Sequence, residues 1–226
     1  MNEPLDPNDF VITRKRKKYK FAKFANAPNC YEFDEYISRT HSSDMVDVVE
    51  VGAGTGLFCV ELATRHPEQR FVALDVKADR LQKGAYAALE RGLANIEFVR
   101  ARADQLDQLF RPHSLSVVWL TFPDPYPRAR SAGRRLTHPH FLATYQTLLK
   151  HAASTQQPGS LCLKHDNADF FAWSLEQLVA SNWRLAELSF DLHASDLAEE
   201  YKLLTTYEKR WLDEQRLTQF VRAVAA

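Results

Sequence analysis

A chain of 226 residues with 45% hydrophobic and 26% charged content and a formal net charge of zero can bury one substantial core, and is too evenly charged to coat nucleic acid indiscriminately. No apolar run approaches the length of a membrane span, and the opening residues are polar and acidic, unlike a secretory signal, so a soluble, cytoplasmic protein is expected. Three widely spaced cysteines, Cys30, Cys59 and Cys162, without a Cys-x-x-Cys pair, argue against a disulfide framework or a zinc knuckle.

Between Arg14 and Lys23 stand seven cations and no acid, interleaved with Tyr19 and Phe21. Such a run reads as a solvated tail or a nuclear address, but Tyr19, Phe21 and Phe24 add an apolar or stacking face that an address does not need. Residues 31–38 read as a helix or an extended docking piece, and a polar break at 40–44 closes a basic N-terminal extension over residues 1–44. A single domain follows over 45–226, where strands and helices alternate. The pattern predicts strands at 45–51, 71–75, 96–100, 114–122 and 160–164, and helices at 58–65, 78–91, 139–151 and 170–181. The 114–122 run is almost continuously apolar, as a strand covered on both faces requires. Segments 185–192 and 202–207 read as an antiparallel pair closing one edge, and 211–224 as a last helix. The fold class is therefore α/β: a doubly wound, mostly parallel, Rossmann-like sheet with a C-terminal antiparallel hairpin edge. Ligands in such sheets bind beyond the carboxyl ends of the central strands.

The first predicted strand runs into Glu50-Val51-Gly52-Ala53-Gly54-Thr55-Gly56 and a helix. Gly52, Gly54 and Gly56 permit a tight turn and a close backbone approach to a ligand. The dinucleotide fingerprint would place its third glycine where Leu57 stands, and no Lys-Ser or Lys-Thr pair follows to make a phosphate loop. Three acids, Glu50, Asp75 and Asp104, stand near the ends of three successive strands. Carboxylates around a pocket suit a ligand with ribose hydroxyls, amines and a positive sulfonium, which describes S-adenosylmethionine. Asp75 would take the ribose, Asp104 the adenine amine and Glu50 the amino-acid end. Each acid alone also reads as an exposed loop carboxylate or a helix cap. His138 and His140 flank Pro139 with no third ligand in view, so no metal site is expected.

The run Phe122-Pro123-Asp124-Pro125-Tyr126 sets a lone carboxylate between two prolines, with Arg128, Arg130, Arg134 and Arg135 directly after it. Proline fixes its own φ and biases the preceding residue toward extended backbone, so Phe122 and Asp124 lose freedom before anything binds. An acid held rigidly beside cations reads as a place where a polyanion meets a reacting centre.

In the Glu50–Gly56 turn, Leu93-Ala94-Asn95-Ile96, the Phe122–Pro125 element with Arg134-Arg135-Leu136, Asp166 and Thr205-Thr206-Tyr207-Glu208, the chain resembles the bacterial tRNA (guanine-N(7)-)-methyltransferases, over residues 45–211. The resemblance implies that Glu50, Asp75, Asp104 and Asp124 line a cofactor site, and that Arg128, Asp166, Thr205, Thr206, Tyr207 and Glu208 face a guanosine. It also implies tRNA as partner and the variable-loop guanosine at position 46 as target. Asp75 stands where the family has Glu, and Tyr126-Pro127-Arg128-Ala129 where it has Trp-His-Lys-Lys. Guanine N(7) already carries a lone pair, so transfer to it needs alignment rather than a base, and Asp124 is the catalytic candidate, as a fixed anion beside a ring that becomes positive. The basic clusters would grip tRNA backbone without reading sequence. The alternatives are an RNA-binding protein with a non-catalytic cofactor pocket, or a methyltransferase acting on another RNA or a small molecule. A monomer or weak homodimer is expected.

Overall fold

The computed structural model describes residues 4–12, 14–39, 46–151, 158–205, 208, 214 and 216–225. Eight strands form one sheet: β1 (Cys30–Glu32), β2 (Val48–Val51), β3 (Phe71–Asp75), β4 (Ile96–Arg100), β5 (Val117–Thr121), β6 (Ser160–His165), β7 (Trp183–Ser189) and β8 (Gln219–Ala225). Their order is β1-β4-β3-β2-β5-β6-β8-β7, parallel from β1 through β6, with β8 antiparallel to both β6 and β7.

The helices are α1 (Lys15–Asn26), α2 (Phe33–Arg39), α3 (Leu57–Arg65), α4 (Ala78–Glu90), α5 (Leu106–Leu109), α6 (Pro139–Leu148) and α7 (Ala168–Ala180). Side chains alternate across a strand, so neighbours such as Val48 and Val49, or Trp119 and Leu120, enter opposite apolar layers. One layer joins Val49 and Leu120 to α2, α5, α6 and α7 through Tyr36, Leu106, Tyr145 and Phe171. The other joins Val48 and Trp119 to α1, α3 and α4 through Phe24, Phe58 and Leu81. All four residues of β2 are buried, as expected of a strand covered on both faces. Among the described residues no helix is long and apolar enough to cross a membrane.

The sheet begins upstream of residue 45. Part of the segment read as an extension supplies edge strand β1, in register with β4 from Cys30 opposite Phe98 to Glu32 opposite Arg100. The basic run is α1, which packs Ala22 and Phe24 inward while Lys15, Arg16, Lys17 and Lys23 stay exposed.

Two C-terminal expectations are corrected. Residues 201–202 form a turn and 203–205 have no regular structure, so 202–207 is not the second hairpin strand as far as it is described. That strand is β8, within the stretch expected to be helical at 211–224. Between β6 and β7 it is covered on both faces, so Phe220, Val221, Ala223 and Val224 are all buried. Two-sided burial erases the alternation that marks a strand and leaves spacings that mimic a helix.

Candidate active site

The cavity lies where the strand order reverses, outside the carboxyl ends of β2 and β5. It encloses about 570 Å³, within the range of small-ligand sites. Gly56 N-caps α3 with φ +69°, and a Cβ there would stand 2.7 Å from a Phe98 ring carbon, so both conformation and space exclude a side chain. Gly54, at φ +57°, has open space where a Cβ would sit and donates its N–H to Asp75 Oδ2 at 2.8 Å. The Lys77 N–H donates to Oδ1 of Asp75, also at 2.8 Å. Burial holds the Asp75 carboxyl above its ordinary range, and the two N–H groups oppose it.

Glu50, at the end of β2, is only 1% exposed. Its Oε1 accepts the Thr121 hydroxyl at 2.5 Å and its Oε2 accepts the Cys59 N–H at 3.2 Å. Burial pushes this carboxyl up to about 7, and the two hydrogen bonds work against that rise.

β5 ends at Thr121, and the 122–126 segment leaves it with Phe122 at φ +50° and Tyr126 at φ +40°. The extended backbone expected for Phe122 ahead of proline is therefore not what the chain adopts. Positive φ in a bulky residue costs about 1–3 kcal/mol and persists only where the surroundings enforce it. Here they do: Phe122 N–H donates to the Lys164 carbonyl at 2.9 Å, and His165 Nε2 donates to the Pro123 carbonyl at 2.9 Å. Arg135 Nε and Nη2 donate to the carbonyls of Pro125 and Tyr126 at 3.0 and 3.1 Å. Asp124 sits in the middle of this loop, exposed at the cavity wall. Among the described residues, no hydrogen bond or ion pair engages its carboxylate.

The third wall is the end of β6. Lys164 and Glu208 are both fully buried, with Nζ 2.8 Å from Oε1 and 3.0 Å from Oε2. Burial pulls the Lys164 ammonium down and the Glu208 carboxylate opposes that. Thr205 and Glu208 form a reciprocal capping box: the Glu208 N–H donates to Thr205 Oγ1 at 3.1 Å, and the Thr205 N–H donates to Glu208 Oε2 at 2.7 Å. His165 accepts the Asn167 N–H at Nδ1, 2.8 Å away, so the proton sits on Nε2, and burial lowers the pKa of the ring. Asn167 caps α7 through the Phe170 N–H at 2.8 Å, so Asp166, one residue earlier, is not the cap of that helix. Asp166 lines the cavity and meets Arg216 Nη1 at 3.4 Å.

Of the residues predicted from sequence, Glu50, Gly52, Gly54, Asp75, Asp124, Asp166 and Thr205 converge on the one cavity, with Gly56 at its back. Asp104 does not. It stands in the 3-10 turn Ala103–Gln105, where a hydrogen bond from the Arg102 N–H to Gln105 Oε1 at 2.9 Å folds the turn and Asp104 pairs with the Arg102 guanidinium. Among the described residues, its neighbours Ala101 and Ala103 line the cavity and Asp104 does not. Glu208 has no accessible surface, is paired with Lys164 and does not line the cavity. Arg128 is exposed, N-capping the 3-10 turn Ala129–Arg134 outside the cavity wall. Thr206 and Tyr207 lie outside the described residues. Sequence reading missed Thr121, Lys164 and His165. A signal existed for Lys164: a lysine inside an apolar strand needs a buried acid, and Thr-x-x-Glu is itself the signature of a helix start.

The donor set suits S-adenosylmethionine: a glycine turn open at Gly54, an acid, Asp75, hydrogen-bonded to that turn, and a buried carboxylate, Glu50, lining the same cavity. A profile described as a putative methyltransferase family matches residues 44–220. The tRNA (guanine-N(7)-)-methyltransferase of Brevibacillus brevis is 37% identical over 163 residues, which is 72% of this chain and 73% of that protein. The enzyme of the same name from Cytophaga hutchinsonii is 34% identical over 193 residues, 83% of this chain and 85% of its own. Among solved structures, the 16S rRNA methyltransferase KamB superposes with a TM-score of 0.58 at 18% identity, covering 86% of this chain and 93% of that one, a likeness of fold. The fold, the cavity at its switch point and these sequence identities agree: the chain belongs to the tRNA (guanine-N(7)-)-methyltransferase family.

Proposed function

We propose that this protein methylates N(7) of a guanosine in tRNA, that the target is the variable-loop guanosine at position 46, and that the reaction runs in the cytoplasm. S-adenosylmethionine is the methyl donor, and when bound it supplies an electrophilic methyl on a sulfonium. Asp75 and the Gly54 turn bind and orient the donor's nucleoside, and Glu50 presents negative charge toward its amino-acid end. Asp124 supplies a fixed anion where the purine ring gains positive charge, and such a preorganised group needs no reorganisation during transfer. Asp166 and Thr205 hold the base edge from the opposite wall. No residue has to remove a proton before attack, because the N(7) lone pair is free.

In an RNA helix N(7) faces a deep, narrow groove closed to side chains, so the base must reach the cavity from a loop or by extrusion. Exposed Arg128, Arg130 and Arg134 beside the cavity, and the cationic face of α1, then grip phosphates. The observation that carries this reading is Asp124: a carboxylate with no protein partner among the described residues, presented by a strained loop to the cavity that the glycine turn lines. Incubation with methyl-labelled donor and bulk tRNA, followed by mapping of the modified nucleotide, tests it. Label at N(7) of the variable-loop guanosine is the expected result, and label on protein or at another base position overturns it.

A further inference from the structure

The cations after the 122–126 loop read from sequence as one RNA-gripping cluster, but the structure divides them. Arg130 and Arg134 are exposed, and the Arg134 guanidinium lies 4.4 Å from the centre of the Tyr126 ring. Arg135 is partly buried and turned inward. Its Nε donates to the Pro125 carbonyl at 3.0 Å and its Nη2 to the Tyr126 carbonyl at 3.1 Å, while its guanidinium carbon lies over Trp173 of α7, 4.3 Å from the ring centre. On the other side of Asp124, buried His165 holds the Pro123 carbonyl at 2.9 Å. The carbonyls flanking Asp124 are thus each tied to a donor from outside the loop, between two residues of positive φ.

We propose that Arg135, stacked on Trp173, is a positioning residue for Asp124 and not a contact to tRNA phosphate. A planar fork reaching two carbonyls while stacking on an indole is a task for guanidinium that an ammonium of equal charge cannot repeat. The inference rests on the reading of Asp124 given above. It makes the rigidity of the loop depend on α7, an element that contributes no other contact to the loop's carbonyls among those described.

The test compares Arg135→Lys, Trp173→Ala and Asp124→Asn with the double variant Asp124→Asn/Arg135→Lys, each first checked by thermal melting. Displacement of a reacting group by about 1 Å can cost on the order of a hundredfold, so Arg135→Lys and Trp173→Ala are each expected to lower kcat about ten- to a hundredfold. Their KM for tRNA, and the slope of tRNA affinity against salt, stay near the wild-type values. The double variant is no slower than Asp124→Asn alone, because Arg135 acts through Asp124. An intact kcat in Arg135→Lys or in Trp173→Ala overturns the proposal. So does a salt slope that falls in Arg135→Gln by about one phosphate contact's worth, roughly 0.7–0.9, with kcat retained at saturating tRNA. Additive losses in the double variant overturn it as well, since they mean independent action. If Asp124→Asn itself turns over normally, the functional reading of the site has failed, an outcome distinct from failure of the clamp alone.

Discussion

The floor and the rim of the cavity use acids in opposite ways. On the floor, Glu50 and Glu208 are buried and each is engaged, the first by Thr121 and Cys59, the second by Lys164 and Thr205. On the rim, Asp124 is exposed, and among the described residues no hydrogen bond or ion pair engages its carboxylate. β2 and β5 are adjacent strands, so a register step and a change of depth separate a buried carboxylate bonded within the protein from one that stands exposed at the cavity wall. Floor substitutions should therefore alter stability and pH response, and rim substitutions should alter rate and RNA binding in a protein that still folds.

The largest expected effect is on the floor. Lys164→Met leaves the buried Glu208 carboxylate without its ammonium partner, with the Thr205 N–H and His193 Nε2 still beside its oxygens, and should cost about 3–5 kcal/mol in urea unfolding, whereas Lys164→Met with Glu208→Leu should recover most of that loss. A small effect of the single variant would mean that the floor is not sealed. On the rim, Asp124→Ala should reduce methyl transfer about 100- to 1000-fold while the unfolding midpoint stays put. Loss of stability in step with loss of rate would erase the contrast.

The pH response sharpens the comparison. The folded Glu50 carboxyl, raised to about 7 from 4.5, keeps a proton that the unfolded chain has already released. Its contribution to stability is thus full below the unfolded value and is lost as pH rises through about 7. Glu50→Gln should flatten the unfolding midpoint of the ligand-free protein across that window. Because a cationic ligand favours the ionised carboxylate, donor affinity in the wild type should rise up to about tenfold from roughly pH 6 to pH 8, with proton release measurable by calorimetry in buffers of different ionisation heat. A flat affinity profile would detach Glu50 from the donor. The smallest expected effect is at the periphery: replacing Lys15, Arg16, Lys17 and Lys18 with Gln should weaken tRNA binding and lower its salt slope, leaving donor affinity unchanged.

Much of this was legible in the chain itself. Periodicity set the central strands and helices because the middle of a parallel sheet is apolar throughout and bounded by glycine and proline, and the Gly52–Gly54–Gly56 spacing together with the proline-flanked Asp124 located the cavity. Those signals are local, carried by residues whose own backbone preferences decide the conformation. Tertiary structure decided the rest. Whether 219–225 is strand or helix depended on its insertion between β6 and β7. Which partners Asp104, Arg135 and Glu208 meet, Arg102, the Pro125 carbonyl and Lys164, two to 44 residues away, depended on the fold and not on their own residue types. A side chain's type states what it is able to bind, and only the packing around it determines whether that capacity has already been used.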